Sequence, residues 1–185
     1  MLPLAGFTEV VGAAGVGKTR VVLSAVWSLK TIYITHTSPA GVVFPPSCLL
    51  RRFESFTELR VFIASELVGF VRGCGAEAVV IDGLDCFLYA EYRGRDIAAI
   101  TYVLKRLAFV LGIQVVVVNT FYGGWRVDGC QIFNSYLGLE WCYAAAARYL
   151  LTKTGPGRGT ITQIRGYGAL SRRYVIRNSV AQVDS

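Results

Sequence analysis

The stretch 7–20, "FTEVVGAAGVGKTR", constrains this chain more than any other. An apolar, β-branched run passes directly into G-x-x-x-x-G-K-T, from Gly12 to Thr19. A strand, a glycine-rich turn and a helix start in that order are what a phosphate-binding loop requires. Gly12, Gly15 and Gly17 let backbone N–H groups converge on one anion. Lys18 supplies a point charge for β- and γ-phosphates, and Thr19 a hydroxyl for Mg²⁺. The helix that follows aims its positive dipole end at the same place. The candidate nucleotide-binding residues are Gly12, Ala13, Ala14, Gly15, Val16, Gly17, Lys18, Thr19 and Arg20.

Further along, helical and strand patterns alternate. The periodicity predicts a helix over 18–29, a strand over 31–35, and a proline-containing loop over 36–47. A short strand is expected around 51–55, a helix over 56–73, and a strand over 77–82 that is apolar until its carboxylate. A long helix over 96–112 precedes the strand "IQVVVVNT" at 113–120 and an aromatic, glycine-rich loop over 121–141. Two antiparallel strands follow across the turn "GPGRG", and "RRYVIRN" is expected as a last edge strand, blunted by Arg172, Arg173 and Arg177. The order implies an α/β fold with a mostly parallel central sheet and a C-terminal antiparallel hairpin. No repeat or linker divides it.

Asp82 closes an apolar strand at the end that lies beside the phosphate loop. That position suits a carboxylate orienting Mg²⁺ and its waters, or a cap for the turn beyond. Asp85 has a weaker claim to either role.

With hydrophobic residues at 54% of 185, the chain forms a substantial core and is not disordered. No basic leader precedes the first strand, and no apolar run reaches the ~20 residues of a membrane span. A soluble, cytoplasmic protein is expected, or a nuclear one in a eukaryote. Cys48, Cys74, Cys86, Cys130 and Cys142 lack metal-site spacing and read as buried small hydrophobes. The net charge of +7 favours a polyanionic partner, nucleic acid first.

Taken in order, "FTEVVGAAGVGKTRVVLSAVW", "TIYIT", "AVVIDGL", "EYRGRDIAAITYVLKRLAFVLGIQVVVVNT" and "AAARYLLTKTGPGRGTITQIR" resemble successive parts of the RecA/RadA recombinase ATPase core. The archaeal and eukaryotic branch is the nearer one. The resemblance covers nearly the whole chain and implies one RecA-like ATP-binding domain over residues 1–185, with ATP and Mg²⁺ as cofactors. With six residues before the first strand, the family's N-terminal helical domain and polymerisation linker are expected to be missing.

Three departures bear on chemistry. The family's water-activating glutamate would stand at Thr37, within "YITHTS", and no neighbour replaces its carboxylate. His36 is a base in principle, with an unperturbed pKa near 6.5. The family's Asn-Gln phosphate sensor is reduced to Asn119 followed by Thr120. Phosphoryl transfer depends on positioning the nucleophile and neutralising charge, so weak or absent hydrolysis is expected. Asp85, Glu91 or a neighbouring subunit are the remaining sources of a catalytic acid.

By resemblance, Arg93 and Arg95 lie in the first DNA loop, while Phe121, Tyr122, Trp125 and Arg126 lie in the second. Basic residues at a helix start suit phosphates, and aromatic rings suit stacked single-stranded bases. The expected function is that of a recombinase paralogue: an ATP-binding accessory in homologous recombination and repair, engaging single-stranded DNA, a recombinase or another paralogue subunit. The alternative is a regulatory or signalling ATPase of the same superfamily whose partner is a protein.

Overall fold

The computed structural model describes residues 2, 4, 6–37, 39–88, 94–120, 124–127, 130–133, 137, 141, 143–166, 170–177 and 180–183. Strand β1 (Phe7–Gly12) leads through the glycine loop into α1 (Lys18–Ala25), then β2 (Thr31–Thr35) and β3 (Cys48–Arg52). Helices α2 (Phe56–Val61) and α3 (Leu67–Cys74) flank a π-helical segment, Phe62–Glu66. Strand β4 (Ala78–Asp82), the short α4 (Leu84–Leu88), the long α5 (Gly94–Phe109) and β5 (Gln114–Thr120) follow. A separate hairpin pairs β6 (Gly124–Val127) with β7 (Cys130–Phe133). The chain then runs through β8 (Ala147–Gly155), β9 (Arg158–Arg165), β10 (Ser171–Arg177) and β11 (Val180–Val183).

Nine strands form one sheet in the order β11-β10-β9-β8-β1-β5-β4-β2-β3. The six from β8 to β3 are mutually parallel, and β9, β10 and β11 are added antiparallel. Parallel strands covered on both faces read as unbroken apolar runs, which is why "VVVV" in β5 and "TIYIT" in β2 do not alternate. On one face α1 packs over Val10, Tyr33, Val80, Val116 and Val118. On the other, α2, α3 and α5 pack over Phe7, Ile32, Ile34, Val79, Ile81 and Val117.

Several elements differ from the sequence-based expectation. The second helix is not continuous. Its buried Leu59, Ile63, Leu67 and Val71 recur every four residues, and on a 3.6-residue helix that row drifts by roughly 40° per step. The wide π turn absorbs the drift and keeps the row on the core. Strand β3 begins three residues before the expected 51–55. The stretch expected as a loop over 121–141 contains β6 and β7, and the "RRYVIRN" strand is not the edge, because β11 lies outside it.

Three of the cysteines are less buried than expected: Cys48 and Cys74 are half-buried and Cys86 is exposed, all three as free thiols, whereas the side chains of Cys130 and Cys142 lie outside the described residues. Among the described residues, no helix is long and apolar enough to cross a membrane.

Candidate nucleotide site

Parallel pairing brings three strand ends together. Gly12 of β1 is level with Thr120 of β5, and Val118 of β5 with Asp82 of β4. The ends of β1 and β4 are therefore one strand apart, with the glycine loop above them.

The loop's glycines are required by space and backbone. Gly15 and Gly17 have φ of 75° and 94°, in the left-handed region that disfavours side chains. A Cβ at Gly12 would lie 2.7 Å from the Leu151 carbonyl oxygen of β8, and one at Gly17 would collide with Ile176 Cδ1 of β10. Ala13, Ala14 and Gly15 are exposed at the loop's crown, whereas Val16 is buried beneath it. Tyr174 of β10 donates its hydroxyl hydrogen to the Val16 carbonyl, tying the antiparallel extension to the loop. Arg20, on the first turn of α1, reaches the Gly41 carbonyl at 3.3 Å.

Lys18 folds back over the crown, its Nζ donating to the Gly12 and Ala13 carbonyls at 2.8 and 2.9 Å. Burial holds its pKa below the ordinary lysine value, while Asp82 and Asp85 pull it back up. The Thr19 hydroxyl donates to Asp82 Oδ2 at 2.6 Å, and the Tyr33 hydroxyl of β2 donates to that same oxygen.

Behind this cluster runs a buried polar chain that the sequence reading missed. Asp85 accepts the Thr120 N–H on Oδ2 at 2.8 Å, and its own N–H donates to Asn119 Oδ1 at 3.2 Å. Asn119 Nδ2 donates to Glu9 Oε1 at 2.7 Å. The Trp141 indole donates to Glu9 Oε1 at 2.7 Å, and Arg148 of β8 forms an ion pair with Oε2. Both ends of the Asn119 amide are thus held, one by the Asp85 backbone and the other by the Glu9 carboxylate. Only one signal for this chain was visible in the sequence: Glu9, an acid inside the apolar run "FTEVV".

The loop after β2 carries no carboxylate. Thr37 is exposed, and its carbonyl accepts from Thr35 Oγ1 at 2.7 Å. His36 is half-buried, with Nδ1 3.2 Å from the Phe53 carbonyl and its ring edge-on to Phe87 at 5.2 Å. Those contacts fix it as a packing residue of the β2–β3 end.

Of the proposed DNA contacts, Arg93, Phe121 and Tyr122 lie outside the described residues. Arg95 falls in α5, and Trp125 and Arg126 in β6, where the structure describes only the backbone.

A parallel sheet whose first strand opens into a glycine loop, with the β4 carboxylate at the loop's threonine, is the RecA-like P-loop core, here with a C-terminal antiparallel extension. The fold is similar to that in the crystal structure of the RadB recombinase, with a TM-score of 0.70 and 18% identity over 96% of this chain and 90% of that one. No family model and no curated protein matches the chain in sequence.

Proposed function

We propose that residues 1–185 form one RecA-like domain that binds ATP with Mg²⁺ and holds it with little turnover, as a recombinase paralogue assisting homologous recombination and repair. The observation that carries this reading is an asymmetry within the site. The groups that hold a nucleotide are assembled, with Lys18 over the loop crown and Thr19 joined to Asp82. The groups that would spend it are not: Thr37 is uncharged and exposed, and Asn119 is committed to buried bonds.

The residues fit the cofactor by their chemistry. The loop from Gly12 to Arg20 would wrap the phosphates, its amides and Lys18 meeting the β- and γ-oxygens. Thr19 and Asp82 form a hard-oxygen pair suited to Mg²⁺, which when bound neutralises phosphate charge. Asp85 accepts the Thr120 amide and lies within the electrostatic reach of Lys18, so it serves the site's architecture rather than a free base's role.

Single-stranded DNA is the proposed polyanion, met by Arg93 and Arg95 at the start of α5 and by Phe121, Tyr122, Trp125 and Arg126 around β6. Charge supports this: besides Arg148, which is paired with buried Glu9, the stretch 141–183 holds six basic residues and no acid. A protein partner is the second reading, favoured by α5 and the turn after it, where Tyr102, Phe109 and Val110 stand 60–72% exposed. Such a partner is a recombinase or another paralogue subunit.

Equilibrium binding of a labelled ATP analogue and of a single-stranded oligonucleotide tests the proposal. Lys18→Ala should abolish nucleotide binding. Arg93→Ala with Arg95→Ala should weaken DNA binding and leave nucleotide affinity intact. A parent chain with no DNA affinity at physiological salt, but a stoichiometric protein partner, would favour the second reading.

A further inference from the structure

Tyr33 reaches the candidate nucleotide site from β2, meeting both Asp82 and the loop's Thr19 with its hydroxyl. It sits on β2, level with Val80, one strand over from Asp82. Its ring is fully buried and packs edge-on against Phe44 at 5.0 Å. That hydroxyl meets Asp82 Oδ2, the oxygen that also receives the Thr19 hydrogen.

We propose that Tyr33 is a positioning residue for the divalent cation: with Thr19 it fixes the Asp82 carboxylate through Oδ2 and leaves Oδ1 for the cation and its waters. The inference deepens the nucleotide reading above and rests on it. Two donors on one oxygen set the carboxylate's rotation, which a lone Thr19 contact would leave free about the Cβ–Cγ bond. The donor's chemistry also matters. A lysine or arginine at this position would neutralise Asp82 and compete with the metal, whereas a phenol orients the carboxylate and leaves its charge in place. Partners behind a metal-binding carboxylate typically change metal affinity by about 10- to 100-fold when removed.

The test is Tyr33→Phe, which keeps the ring and deletes the hydroxyl. Affinity for a labelled ADP is measured in EDTA and again across a Mg²⁺ titration, with Mn²⁺ binding followed by electron paramagnetic resonance. Thermal unfolding of both proteins verifies the fold. The expected result is an ADP affinity in EDTA within about twofold of the parent, with the Mg²⁺ and Mn²⁺ midpoints raised at least tenfold. Unchanged metal midpoints would overturn the role of Tyr33 and leave the nucleotide site standing. Equal loss of affinity with and without metal would overturn it too, as a packing effect. A parent that binds no nucleotide in either condition would remove the site reading itself.

Discussion

Glu9 stands in a strand whose other residues are uncharged, and it is completely buried. Its two oxygens take Arg148, Trp141 and Asn119, so the charge is paired and hydrogen-bonded as burial demands. Removing one partner would strand the other in a dry interior. Glu9→Ala or Arg148→Ala should each cost about 3–5 kcal/mol in urea unfolding, and the double variant clearly less than the sum. Asp85, 3% exposed, has one oxygen on the Thr120 amide and a second with no partner among the described residues. Burial raises its pKa above the ordinary value of 3.8, so the folded chain holds the proton more tightly than the unfolded one. The stability this contributes is complete below pH 3.8 and is lost as pH rises through the folded value. Asp85→Asn should remove that pH dependence, and the urea midpoint of the variant should gain on the parent's as pH rises from 3.8 toward neutrality. Loop glycines, Lys18, Thr19 and Asp82 were legible in the sequence because their spacing carries the chemistry. Tyr33 and Arg148 were not, since each acts across a strand pair and no local pattern marks it, and Asp85 was visible as an acid while its bond to the Thr120 amide was not.

Among the elements, β10 is the strand expected from its sequence but not the edge, because β11 pairs outside it. "RRYVIRN" presents three arginines in seven residues, and pairing splits them. Tyr174 lies opposite Gly159 and turns toward the phosphate loop, carrying Arg172 to the same face. Arg173, Val175 and Arg177 point the other way, where Val175 lies level with Arg158 of β9. Arg158, Arg173 and Arg177 thus share one face at diagonal spacings of roughly 7 Å. All three are exposed. If nucleic acid uses this face, Arg158→Ala, Arg173→Ala and Arg177→Ala together should lower the slope of log K against log salt by about 2 for single-stranded DNA, and leave nucleotide affinity unchanged. An unchanged slope would confine DNA to the loops around Arg93 and Trp125. Alternating strands and helices were readable because short unbroken apolar, β-branched runs alternate with amphipathic stretches of period 3.6. The π segment and the β6–β7 hairpin were not, because one arises from a drift that only packing corrects and the other lies in a stretch rich in glycine.

In the whole molecule, the antiparallel extension and the phosphate loop form one unit. Ile176 fills the space beside Gly17, Tyr174 holds the Val16 carbonyl, and the Ala181 amide of β11 donates to Ser24 Oγ on α1 at 2.9 Å. If a nucleotide binds the loop as proposed, it meets the same strands that carry the basic face, which would give the domain a route to couple the two without turnover. The central claim is that this site holds nucleotide and spends it slowly. The most direct measurement is single-site ATP turnover with saturating Mg²⁺, with and without single-stranded DNA, on protein shown to bind the nucleotide. The account predicts saturable binding with turnover on the order of 10⁻⁴ per second or slower, the range of a P-loop site lacking its catalytic complement. Turnover that DNA raises to on the order of 10⁻² per second or faster would contradict it.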